Sequence, residues 1–329
     1  MLLHRHPGFI VLLCLAAQSK GMVIFMKKVL SILITLTLLF ALSSVAFAGE
    51  INYVYSPTCK LVGHRGLSIA APENTLASFE LAGQMGLDAI EFDIWPTTDG
   101  IWVVMHDEKV DRMTDKEGNI TAMTFDETQQ CTIDAGNGIE NYPGQKIPTL
   151  EQVLDVCKKY NATPFIEIKG GTAAEFELLL NHLKTFENHR EFVFISFNNN
   201  YICQVKSILP ENKAYWIINS PNEKNIKFCL ENGIDGIDFN YYNTSTDMIE
   251  KIVSSGLTAG AWTVDSLEDF QMLCSLHIDI VTTNSIVPKE NTCKHICHSD
   301  NPFLKAIWNI ISFFLNLFGE QYCSCGVRH

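Results

Sequence analysis

Residues 60–94 read KLVGHRGLSIAAPENTLASFELAGQMGLDAIEFDI. A short β-rich run, Leu61–Gly63, gives way to an amphipathic stretch, Thr75–Met85, and then to a second β-rich run, Ala89–Ile94. The rhythm continues to Val287. Further strand candidates are Trp102–Met105, Pro164–Ile168, Phe192–Ser196, Ala214–Ile218, Gly236–Phe239, Leu257–Thr263 and Ile280–Thr283. Helix candidates between them include Leu150–Tyr160, Ala173–Lys184, Tyr201–Ile208, Thr246–Ser255 and Leu267–Leu276. Asn74, Thr149, Thr172 and Ser266 stand where N-caps are required. Trp102–Met105 follows its predecessor through the turn Thr98-Asp99-Gly100 and reads as a hairpin arm. Discounting that arm leaves eight β/α units in about 230 residues, the size and rhythm of an α/β protein of the (β/α)8, or TIM, barrel type. A doubly wound open sheet is the alternative. Residues 107–147, rich in Thr, Asp, Asn and Gly, break the rhythm and read as an inserted region.

Outside this core the chain changes character at both ends. Residues 1–48 contain no Asp or Glu. From Met26 they run MKKVLSILITLTLLFALSSVAFAGE: a basic start, an apolar run, and a small-x-small site at Ala46-Phe47-Ala48, the pattern of a secretory signal peptide. The expectation is an exported protein whose first residues are upstream sequence. After Pro288, Cys293-Lys294-His295-Ile296-Cys297-His298 precedes an apolar run and then Cys323-Ser324-Cys325. In that run Lys305, Asn309, Ser312 and Asn316 share one helical seam, which leaves a wide apolar face over residues 303–318. Sixteen residues make about 24 Å of helix, too short to span a bilayer, so packing on the barrel, membrane-surface contact and cell-surface contact are the options. The expected organisation is therefore 1–48, barrel 49–288 and tail 289–329.

The whole chain has 329 residues and a net charge of −13, with 24 Lys and Arg against 37 Asp and Glu. Removing residues 1–48 takes away Arg5, Lys20, Lys27 and Lys28, which leaves 20 basic residues against the same 37 acidic ones, a net charge of −17. Nucleic acid is excluded as a partner on that balance, because backbone binding needs a clustered basic surface. Of the 11 cysteines, Cys59, Cys131, Cys157, Cys203, Cys229 and Cys274 are scattered through the barrel without a motif, as buried small hydrophobes are.

In a parallel barrel the chemistry sits at the C-terminal ends of the strands, and the unusual residues fall there. The first strand ends in Gly63-His64-Arg65-Gly66; the second holds Glu91-Phe92-Asp93; its hairpin partner runs into His106-Asp107; the next ends in Glu167-Ile168-Lys169. Strand alternation puts Glu91 and Asp93 on one face. Three carboxylates on one site repel unless a cation holds them, and an all-oxygen donor set favours Ca2+ or Mg2+. Arg65 and Lys169 add positive charge suited to phosphate. His64 and His106 can serve as an acid and base pair near neutral pH. Together these groups describe phosphate-ester cleavage.

These same segments resemble a known family. GHRG-x4-APENT, E-x-D, the run from Thr98 to Asp107, Pro148-Thr149-Leu150, E-x-K, Ser196-Phe197 and Trp262-Thr263-Val264 are similar to glycerophosphodiester phosphodiesterases of the secreted bacterial type. The resemblance covers about residues 62–288. It implies a TIM barrel with an insertion at 107–147, His64 and His106 as the acid/base pair, and Glu91, Asp93 and Glu167 as ligands of one divalent cation. It further implies Arg65 and Lys169 on the phosphate, and Phe197 and Trp262 lining the pocket. The implied substrate is a small glycerophosphodiester such as glycerophosphocholine, cleaved to glycerol 3-phosphate and an alcohol. A phospholipase C- or D-like enzyme acting on intact lipid and a non-catalytic exported surface-binding protein are the alternatives. The chain departs from the family pattern at Asp265, where Asn is more usual, and at Thr283-Asn284, where Thr-Asp is common. Neither departure is expected to touch the metal or the histidines.

Overall fold

The computed structural model describes residues 50–55 and 57–289. The expected signal segment 1–48 and the tail features at 293–325 lie outside the described residues. In chain order the elements are β1 (Asn52–Val54), β2 (Lys60–Gly63), α1 (Leu76–Gln84), β3 (Ala89–Pro96), β4 (Trp102–Val104), α2 (Phe125–Gln130), α3 (Leu150–Tyr160), β5 (Thr163–Ile168), α4 (Ala173–Leu183) and β6 (Val193–Ser196). They continue with α5 (Asn199–Ile208), β7 (Lys213–Ile218), α6 (Glu223–Glu231), β8 (Gly236–Asn240), α7 (Thr246–Ser254), β9 (Thr258–Trp262), α8 (Leu267–Ser275), β10 (Ile280–Thr283) and β11 (Ile286–Pro288).

Eight parallel strands, β2, β3 and β5–β10, pair in sequence order, and β2 pairs with both β10 and β3, so the sheet closes into a barrel. The open doubly wound alternative is thereby excluded. β4 lies antiparallel on β3 outside the closed ring, as the Thr98-Asp99-Gly100 turn predicts. The pairing of β1 with β11 and the polar helix α6 were not legible in the hydrophobic pattern.

Strand alternation divides the buried residues in two. Side chains facing outward, among them Phe92, Phe194 and Phe239, pack with Phe79 and Phe176 of the surrounding helices. Those facing inward, including Val62, Phe165, Ile195, Tyr215, Ile217 and Ile280, fill the lumen. The inserted region carries a third small core, in which Val110, Met113, Ile120, Cys131 and Ile133 pack against Val103 and Met105 of the β4 arm. Helix starts are fixed locally by capping boxes, with Thr149 reaching Gln152 and Thr172 reaching Glu175. Four of the six barrel cysteines are buried, and Cys203 and Cys274 are half-buried. No helix among the described residues is long and apolar enough to cross a membrane.

One capping expectation fails. The first helix is capped by Thr75, whose side chain accepts from the Ser78 amide, and not by Asn74. Asn74 instead takes a left-handed backbone (φ 54°) and turns its amide inward, a conformation Asn tolerates better than most residues.

Candidate active site

The first shared feature of the site is a cluster of three buried acids. Glu91 and Asp93 project from β3 on the same face, and the β3–β5 register sets Asp93 beside Glu167. Each offers a carboxylate oxygen within 4.8 Å of the others. Asp93 is the best supported: the Asn74 side-chain amide donates to its Oδ2 at 2.7 Å, and Lys169 Nζ stands 3.4 Å from its Oδ1. Burial alone would raise its pKa, but Lys169 and Arg65 overcome that and hold it down at about 2. Glu167 moves the other way, to about 8, through burial and then repulsion from Asp93. Burial and the charges of Asp93 and Glu167 push Glu91 well above the ordinary carboxylate range. Such a set, three oxygen donors with two of them resisting ionisation, fits a hard divalent cation. Among the described residues Asp93 Oδ1 has no hydrogen-bond partner, which is the residual demand such an ion would meet.

Two cations complete this side. Lys169 Nζ donates to Glu167 Oε1 at 2.9 Å. Arg65 sits at the end of β2 with a positive φ of 57°, a strained conformation of the kind stored at functional sites. That turn points the Arg65 amide at Glu91 Oε2 (2.8 Å) and its Nη1 at Glu73 Oε1 (2.9 Å). Its buried Nε makes no hydrogen bond.

The two histidines have opposite supports. His64 Nδ1 lies 2.8 Å from Asn284 Oδ1. Asn284 spends its amide Nδ2 on Asp265 Oδ2 (2.7 Å), so its oxygen faces the ring. His64 Nδ1 therefore carries the proton, and Nε2 keeps a free lone pair. Burial first, and then the charge of Arg65, lower the His64 pKa to about 4, so the ring is neutral at physiological pH. His106 Nδ1 instead pairs with the Asp107 carboxylate at 2.7 Å. Arg112 Nε donates to the other Asp107 oxygen (2.5 Å) while its Nη2 donates to Glu73 Oε1 (2.7 Å). An imidazolium at His106 thus has a carboxylate partner, and one at His64 has none.

Both rings, with Arg65, Glu91, Glu167 and Lys169, line one cavity of about 180 Å³. Phe197 and Trp262 close its other side as an edge-to-face pair with centroids 5.7 Å apart. Asp93 stands behind this lining, within the acid cluster. All nine residues singled out in the sequence therefore come together.

Several supporting residues were missed. Asn74, read as a cap, holds Asp93. Arg112, in the inserted region, ties the His106 partner to the Arg65 partner. Asp265 and Asn284 correct an expectation: they do reach a histidine, through the hydrogen bond from His64. The signal was available, since these were the two positions where the chain departs from the family pattern and they prove to be bonded to each other.

The chain is similar to proteins of one family. Residues 64–287 match the model of the glycerophosphoryl diester phosphodiesterase family. The glycerophosphodiester phosphodiesterase of Caldanaerobacter subterraneus is 31% identical over 228 residues, 68% of this chain and 93% of that protein. One from Bacillus subtilis is 29% identical over 266 residues, 74% of this chain and 90% of that protein. The structure of an Oleispira antarctica phosphodiesterase in complex with the product sn-glycerol-3-phosphate superposes with a TM-score of 0.63 at 26% identity, covering 69% of this chain and 93% of that one. The protein is an enzyme, a phosphoric diester hydrolase, and it belongs to the glycerophosphoryl diester phosphodiesterase family.

Proposed function

We propose that this protein cleaves small glycerophosphodiesters, such as glycerophosphocholine, to glycerol 3-phosphate and an alcohol, using His64 and His106 for proton transfer and Glu91, Asp93 and Glu167 to hold one Ca2+ or Mg2+. The observation that carries the reading is the convergence of the acid cluster, Arg65, Lys169 and two differently supported histidines on one small cavity. When bound, the cation supplies Lewis-acid neutralisation of the phosphodiester charge. Arg65, whose Nε faces Asp93 at 3.6 Å without a hydrogen bond, and Lys169 bind and orient the phosphate oxygens. His64 takes the proton of the nucleophile, water or a neighbouring glycerol hydroxyl, on its free Nε2. His106, as the imidazolium paired with Asp107, gives its Nε2 proton to the leaving alkoxide, so each ring ends in the state from which the other began.

The cavity of about 180 Å³ is of a size to hold a glycerophosphoryl unit. The 26–48 pattern supports export. The test is hydrolysis by the full chain of glycerophosphocholine against phosphatidylcholine liposomes. Glycerol 3-phosphate release from the soluble diester, with liposomes left intact, is expected. Preferential attack on liposomes would establish the phospholipase-like reading, with contact through 303–318 as its natural cause.

A further inference from the structure

The lumen holds a fourth acid that the chemistry above does not use. Asp238, in the middle of β8, faces inward between Ile217 on β7 and Gly260 on β9. It is 5% exposed and lines the same cavity as His64 and Lys169, on the side of Phe197 and Trp262. Its Oδ1 has no hydrogen-bond partner among the described residues. No basic residue is paired with it either, in contrast to Asp93, which has Lys169 and Arg65.

A buried acid kept for structure has partners, because an unsatisfied one costs stability. Here the surroundings make room for the carboxyl and satisfy nothing. A Cβ at position 260 would lie 2.7 Å from Asp238 Oδ1, so the glycine on β9 leaves the space the carboxyl occupies. Trp262 Nε1 is spent on the Asp238 backbone carbonyl (3.3 Å) and does not reach the side chain. Oδ1 itself is sealed against Gly260, so a partner supplied from the cavity meets the carboxyl at its cavity-facing edge. With phosphate held by Arg65 and Lys169 on the β2 and β5 side, a substituent crossing to β8 passes the Phe197–Trp262 pair and arrives at Asp238. A quaternary ammonium cannot donate a hydrogen bond to a carboxyl oxygen; a hydroxyl can.

We propose that Asp238 is a specificity-determining residue that accepts, on the cavity-facing edge of its carboxyl, a hydrogen bond from the terminal hydroxyl of the glycerol arm of the substrate. Burial raises the Asp238 pKa to about 7, so the carboxyl is readily neutral and offers an ammonium group no full counter-charge. This assignment rests on the glycerophosphodiester reading given above.

The experiment compares glycerophosphocholine with 2-hydroxypropylphosphocholine, which keeps the hydroxyl beside the phosphoester and lacks only the terminal one, in the wild type, Asp238→Ala and Asp238→Asn. The wild type is expected to favour the glycerol substrate in kcat/KM by roughly 10- to 100-fold, the worth of one hydrogen bond to an ionisable group. In Asp238→Ala that ratio is expected to fall to about one, and Asp238→Asn, which keeps an acceptor oxygen, to recover part of it. The melting temperature of both variants is expected to equal or exceed that of the wild type, since an unsatisfied buried carboxyl has been removed. A wild-type ratio near one, a ratio that survives in Asp238→Ala, or an equal loss on both substrates with a lowered melting temperature overturns the assignment. Failure of the wild type to hydrolyse glycerophosphocholine at all overturns the reading beneath it, and this one with it.

Discussion

The two sides of the barrel mouth treat buried polarity in opposite ways. On the side of β2, β3 and β5, acids and bases are crowded and interlocked: Arg65 and Lys169 among three carboxylates, with Asn74 and Glu73 behind them. On the side of β6 to β9 the wall is apolar and aromatic, and it holds Asp238, an acid without a partner among the described residues. Compensated charge belongs where charge must be stabilised through a reaction, since preorganised groups in a water-poor site act most strongly there. An uncompensated polar group in an apolar wall belongs where one group of a ligand is to be distinguished. The barrel thus separates reaction from recognition across about one cavity's width.

The comparison breaks most sharply at the histidines. His64→Ala and His106→Ala should each lower kcat by roughly 10²–10⁴-fold, read by glycerol 3-phosphate release, and near-wild-type turnover in either would remove that residue from the chemistry. Arg112→Ala comes next. It unties Asp107 and Glu73 at once, and a loss of about 10–100-fold is expected, with partial rescue in Arg112→Lys and little change in melting temperature. An unaltered kcat would mean that the inserted region does not support the charged side.

Two pH experiments sharpen the contrast further. Asp238 has an ordinary pKa of 3.8 and is raised to about 7 when folded. The folded state holds its proton more tightly, so the stability it contributes is full below about pH 4 and is lost as pH rises through about 7. Asp238→Asn should therefore gain on the wild type between those values, by on the order of a few kcal/mol in denaturant unfolding, and a pH-independent difference would contradict the burial. The smallest effect is at Asn284. Giving His64 a carboxylate through Asn284→Asp, combined with Asp265→Asn so that a donor still faces it across the 2.7 Å contact, should raise its pKa from about 4, so that the base is lost sooner on acidification. The acid limb of kcat/KM should move upward by about one pH unit while activity near pH 8 changes little, and an unmoved limb would take Asn284 out of the His64 support.

The fold and the residues that gather at the candidate site were largely legible in the sequence because both obey local rules. Alternation along β3 sets Glu91 beside Asp93, and the strand-end positions of His64, Arg65 and Lys169 follow from the barrel period. What was not legible depends on chain reversal and long-range register. Asn74 stands one residue before a helix and looks like a cap; only the left-handed turn that starts at Arg65 shows that its amide belongs to Asp93. Arg112 lies 39 residues from Glu73, and Asn284 lies 220 from His64, distances at which spacing carries no information. Asp238 sits in an ordinary β-rich run, Gly236–Asn240, and its isolation is visible only once the barrel closes around it.

The central claim is that the three carboxylates hold a cation the chemistry requires. The direct measurement is glycerol 3-phosphate formation from glycerophosphocholine by the full-length protein after EDTA treatment, followed by titration with Ca2+ or Mg2+. Activity should be abolished by the chelator and restored by one of the two ions, with restoration lost in Glu91→Gln. Turnover that is indifferent to EDTA would contradict the account.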